Sequence, residues 1–324
     1  MKNRTRGRKR ETKKKFERLP LVEGKIPKLE LTTKDVKALN SHFIKILRQE
    51  RITEEDFNVL EVLLKCGVDV NCKSEVLKYT LLIFAAKDGL IGVCELLIKH
   101  GADVNMKDID GSTALMHAAS NKYTDICELL IKHGADVNAQ NINGITALMF
   151  AIDKDCIDIC KLLIEKGADV NAKTKNGWTA LMHAILNNYT DTCKILIERG
   201  ADVNIQDENG STALMLAVQQ MGSTCTSICE LLIEKGADVN AKNINGSTAL
   251  LLAVLDGRDD ICKLLIENGA DLMCVIKKDI EGVLKLLNVQ KVRDAIEKHT
   301  EIGRMIVSVN NCIPETTYET FVNL

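Results

Sequence analysis

The chain has 324 residues, 46% of them apolar and only 3% aromatic, with a formal net charge of −2. Length alone allows two or three domains. No run approaches the roughly 20 apolar residues of a membrane span, and the first residues lack the apolar stretch of a secretion signal, so a soluble chain without membrane attachment is expected, its twelve cysteines kept reduced in the cytoplasm or nucleus.

Charge is split along the chain. Residues 1–20 hold ten Lys/Arg against Glu11 and Glu17, a net of +8, which leaves −10 on the rest. Residues 1–33 read as a basic, disordered tail. Its dense clusters are Arg6, Arg8, Lys9 and Arg10, then Lys13, Lys14 and Lys15. Three readings stay open: a solvated arm, a nuclear address read by an import receptor, or phosphate contacts to nucleic acid. Only Phe16 interleaves the charges, so base stacking is not supported. Residues 34–50 and 53–66 then read as a degenerate helix pair ending at Gly67, making 34–73 an N-terminal capping unit.

Residues 74–273 are governed by repetition. Gly-Ala-Asp-Val-Asn starts at Gly101, Gly134, Gly167, Gly200 and Gly236, with variants at Gly67 and Gly269, at steps of 34, 33, 33, 33, 36 and 33 residues. Thr-Ala-Leu begins at Thr113, Thr146, Thr179, Thr212 and Thr248, with a looser copy at Thr80. Cysteines form a third column at Cys94, Cys127, Cys160, Cys193, Cys229 and Cys262. Each unit predicts two short helices. In 108–140, Thr113 is the N-cap and Ala114–Ala119 the first helix; Asn121 and Lys122 make the turn. Ile126, Cys127, Leu129, Leu130 and Ile131 give the second helix its apolar stripe, and Gly134 ends it where positive φ is needed. Neither helix can bury its stripe alone, so neighbouring units must stack. The three-residue insertion falls in 219–227 and is read as an inter-helix turn; Cys225 within it and Cys156 read as loop residues, and these two with Cys66 are the thiols expected to label first. Residues 274–300 predict a C-terminal helical cap with Val283, Leu284, Leu286, Leu287, Val292 and Ile296 inward, and 301–324 are weakly patterned.

The pattern G-x-T-A-L-M-H-A-A … I-C-E-L-L-I-K-H-G-A-D-V-N resembles the ankyrin repeat, in the form whose first helix begins Thr-Ala-Leu-Met. The resemblance implies an all-α solenoid: six stacked helix-turn-helix repeats over 74–273 with extended β-turn tips. The family's proline after Thr is alanine here (Ala114, Ala147, Ala180, Ala213, Ala249), which keeps the helix because alanine is the best helix former. The resemblance also implies a monomeric, non-enzymatic scaffold or adaptor that binds protein partners at the tips and the inward face of the first helices. Candidate contacts are the positions that vary there: Tyr79, Ile145, Trp178 and Ser211 before each Thr, and Asp153, Lys154, Leu186 and Asn187 closing the first helices. Trp178, the only tryptophan, is the expected anchor, with covering of the neighbouring turn as its alternative role. A nucleic-acid or ribonucleoprotein factor docked through the tail is the second function reading. A third comes from IPETTYETFVNL near the C-terminus, which faintly resembles the start of an F-box and would imply a ubiquitin-ligase adaptor.

Chemistry is not expected. One cysteine per repeat, on helices roughly 8–10 Å apart, fits neither a disulfide nor a zinc site, so the column reads as small buried hydrophobes with no metal. His117 and His183 share a column with Phe84, Phe150, Leu216 and Leu252, which makes it a packing column. No nucleophile–base set, phosphate loop or cofactor motif stands apart from the repeat.

Overall fold

A computed structural model describes residues 54–65, 69–74, 76–220 and 224–272. Among the described residues one helix, α1 (Glu54–Lys65), precedes six helix pairs. These are α2 (Leu81–Lys87) with α3 (Ile91–Lys99), α4 (Ala114–Ser120) with α5 (Thr124–Lys132), and α6 (Ala147–Asp153) with α7 (Ile157–Glu165). They continue as α8 (Ala180–Leu186) with α9 (Thr190–Glu198), α10 (Ala213–Gln219) with α11 (Thr224–Glu234), and α12 (Ala249–Leu255) with α13 (Asp259–Glu267). Each first helix packs on its own second helix and on the first helix of the next unit, and second helices pack on second helices. No strand occurs among the described residues; the tips carry one isolated bridge, Gln206 with Thr212. The readings of residues 1–33, of 34–50, of Cys66 and of 274–324, including the tail clusters and the F-box-like segment, lie outside the described residues.

Each first helix starts the same way. The threonine column has extended backbone, with φ from −79° to −104°, and its hydroxyl accepts from the amide three residues on, at 3.1–3.4 Å. This side-chain cap satisfies an amide that the helix itself cannot pair. The hydroxyls are buried, so water is no substitute. Five of the seven residues in α4 are buried: Ala114, Leu115, Met116, Ala118 and Ala119. Small side chains on two sides let a seven-residue helix lie between its neighbours, a setting too short for stability outside the stack. The column cysteines sit in the second-helix core at 0–1% exposure, and burial pushes their thiols up to about 12.

The Gly-Ala-Asp-Val-Asn string has three jobs. Gly134 takes φ 87° to end α5. The Asp136 carboxylate then accepts from the Asn138 amide at 2.9 Å, closing a local turn. Asn138 finally reaches the next unit: its Oδ1 accepts from the Asp169 amide at 2.7 Å and its Nδ2 donates to the Gly167 carbonyl at 3.0 Å. The same two bonds recur from Asn71, Asn105, Asn171, Asn204 and Asn240. Adjacent tips are joined by backbone bonds of 2.9–3.1 Å, running from Ile109 to Leu77 and onward to Ile244 with Asn209. The tips approach so closely that a Cβ on Gly177 (φ 78°) would lie 2.8 Å from the Asp207 Cα.

The insertion departs from the expected turn. Helix α11 runs eleven residues against nine in α9, so part of the added sequence lengthens the second helix rather than the loop. Cys225 therefore lies on a helix and is buried, not loop-exposed. Arg258 donates to its Sγ and to the carbonyls of Val218 (3.3 Å) and Gln220 (2.5 Å), capping the end of α10. Cys156, at the N-cap of α7, is half-buried.

Candidate functional site

Three columns on the first-helix side are where the units differ, and apart from the buried Ser112 they are half-buried or exposed. The fourth helix residue is half-buried in every unit: Phe84, His117, Phe150, His183, Leu216 and Leu252. The residue before each threonine lies beside it, and the helix-closing pairs form the rim. This face collects aromatic rings in a chain that has few of them, and they fall in the first four units. Tyr79 meets Phe84 edge-on at 6.4 Å between centroids and His117 of the next unit at 5.4 Å. Lys87 sits over the Tyr79 ring at 5.2 Å. Three units on, Trp178 meets His183 edge-on at 5.6 Å and 77°.

The histidines do more than fill space. His117 Nε2 pairs with Asp108 at 2.8 Å, tying the first helix to its own tip through a carboxylate buried to 1%. His183 Nδ1 pairs with Asp153 of the preceding unit at 2.9 Å. Sequence reasoning placed both rings in a packing column but missed these partners. A signal was present: Asp108 is the tip Asp of its unit, and Asp153 is the only acid in its helix-closing column.

The other candidates take the following places. Trp178 and Ile145 are half-buried, and Trp178 donates its amide to Thr174 Oγ1 at 3.0 Å. Ser211 is half-buried at its tip, its amide held by Asp207 at 2.8 Å. Asp153, Lys154 and Asn187 are exposed, and Asn187 donates to the His183 carbonyl at 3.0 Å as a helix cap. Leu186 is 46% exposed. Trp178 is thus brought to His183, and His183 to Asp153.

A row of aliphatic residues on the tips escaped the sequence reading. Val76 (77% exposed), Ile109 (54%) and Ile142 (51%) hold corresponding places on three consecutive tips. Lys175 and Glu208 take that place on the next two, and Ile244 on the sixth. From Ile109 onward the amide at this place makes the tip-to-tip bond whether the side chain is aliphatic or charged, so that bond does not select the aliphatic ones.

Among the described residues no group of His, Cys, Asp and Glu could hold a metal, and no helix is long and apolar enough to cross a membrane. Asn204, Asp238 and Asn240 line an open cleft on the outer turns, where the Asp238 amide donates to Asn204 Oδ1 at 2.7 Å as one of the inter-unit staples.

Comparison with known proteins agrees with this geometry. A protein of fowlpox virus (strain NVSL) named as an ankyrin repeat protein is 37% identical over 73 residues, which is 22% of this chain and 11% of that protein. The chain thus matches only a small part of its viral relative. The family model for ankyrin repeats matches three times, over residues 52–141, 138–207 and 199–276. With threonine-capped helix pairs, glycine-ended second helices and bonded tips in every described unit, the chain belongs to the ankyrin-repeat family.

Proposed function

We propose that the first-helix face and the adjoining tips recognise a protein partner, with the chain acting as an adaptor or scaffold. One observation carries this reading. Positions that pack repeat almost unchanged from unit to unit, whereas the solvent-facing columns of this one face vary and hold the rings, the exposed Leu186 and the aliphatic tips. Aromatic anchors in such a setting are over-represented among residues that dominate binding energy. The test is Trp178→Ala, followed by melting temperature and partner capture. Lost capture with an unchanged melt supports the reading. A large fall in melt with capture intact makes Trp178 a packing residue and removes it from the interface.

The ten Lys/Arg of residues 1–20 favour a second reading, contact with phosphate or an import receptor. Phosphate contact predicts binding that weakens steeply with salt and is lost on deleting residues 1–20. An aliphatic and aromatic interface predicts a shallow salt dependence instead.

A further inference from the structure

We infer that Trp178, His183 and Asp153 form a subsite for a cationic side chain, lysine or arginine, of the partner. The inference rests on the reading of the first-helix face as a binding surface and names what one part of it takes. The molecule supplies its own precedent. In the first unit the residue before the threonine is Tyr79, and Lys87, eight residues on at the end of α2, places its ammonium 5.2 Å from that ring's centroid. A ring at this position therefore stands within reach of a cation at the helix end, at a distance where the ring's electron-rich face attracts it.

The fourth unit repeats the arrangement with three changes. The ring is now the indole of Trp178, the strongest cation acceptor among aromatic side chains. Leu186 stands where Lys87 stands in the first unit, so α8 brings no cation of its own to that position. A carboxylate has been added: His183, in edge contact with Trp178, holds Asp153 from the preceding unit at 2.9 Å. Ring, carboxylate and a missing intrinsic cation together fit a positive group arriving from outside. The long-range field agrees, since residues 21–324 carry a net −10. Lys154 is the neighbouring charge of opposite effect; it caps α6 and is exposed.

Trp178 is the only tryptophan, so its indole N–H is a single reporter in the NMR spectrum of the intact chain. The probes are acetyl-Ala-Arg-Ala-amide and acetyl-Ala-Lys-Ala-amide, with acetyl-Ala-Gln-Ala-amide and added salt as controls at matched ionic strength. The cationic probes should shift the indole signal and the neutral probe should not. Asp153→Asn should weaken the response about fivefold. Leu186→Lys, which restores the arrangement of the first unit, should weaken it about tenfold by occupying the ring from within, while Leu186→Met should not. An equal response to the glutamine probe, or an unchanged response in either Asp153→Asn or Leu186→Lys with a wild-type melt, overturns the inference. No partner is present in this titration, so its failure leaves the partner-capture test of the wider face untouched.

Discussion

Asn138→Ala cuts the stack at one seam without touching its core. The side chain makes two bonds into the following unit, accepting from the Asp169 amide at 2.7 Å and donating to the Gly167 carbonyl at 3.0 Å. A hydrogen bond contributes about 0.5–1.5 kcal/mol net, which sets an upper limit near 3 kcal/mol for the pair. Asn138, Gly167 and Asp169 are all exposed, so water re-pairs the two backbone groups, and a loss of about 1–2 kcal/mol is expected. Stability in a stacked array is a sum of unit and interface terms, so the loss falls on one interface between the second and third units. Urea unfolding followed by far-UV circular dichroism and by Trp178 fluorescence reads it. The midpoint should fall, and the two probes should separate, because Trp178 reports only the units beyond the seam. Asn138→Asp keeps the acceptor and loses the donor, so it should fall between alanine and wild type. A change under about 0.3 kcal/mol for Asn138→Ala would refute the staple as a stabilising element.

Three further outcomes are expected. Thr179→Ala should cost about 1 kcal/mol in the same urea assay, since it uncaps the Met182 amide at a buried site, and Thr179→Ser should recover most of it. Asp155→Gly should stabilise by about 0.5–1 kcal/mol, because Asp155 takes φ 53° at a place where Gly89 and Gly257 stand in other units; a loss would show that its side chain matters more than its backbone. Cys156 should alkylate ahead of the equally half-buried Cys72, whose thiol burial and the Asp69 carboxylate push up to about 11, with Cys225 and the six column thiols slow until unfolding. Burial raises those six from 9.0 to about 12, so the unfolded chain loses its thiol protons first as pH rises. Their stabilising contribution is full below pH 9 and is lost towards pH 12; unchanged stability across that window would contradict it.

Much of the fold was legible in the sequence because its determinants are local and repeated. Threonine caps the helix three residues ahead, glycine ends the helix just behind, and cysteine marks the stripe, so each can be read from one unit alone. What joins units was harder to see. Asn138 looks like a turn residue in its own unit, and its partners lie 29 and 31 positions away. Asp153 looks like a solvated helix end until His183 of the next unit reaches it. The insertion misled for a different reason. Gly222, Ser223, Thr224 and Thr226 have turn-like character, but once a helix is packed it can extend by two residues at little cost, and Cys225 is buried there beneath Arg258. For the candidate surface, the variable columns could be found by comparing units. The aliphatic tips were overlooked because tip residues look like loop residues.

The most direct test of the account is to ask where a partner sits. A photo-crosslinking amino acid is placed at Leu186, on the first-helix face, and separately at Lys161, exposed on the second helix α7. Each variant must first show the wild-type melt. An adduct with a specific protein should form from position 186 and not from position 161. The same adduct from position 161, with none from position 186, would contradict it.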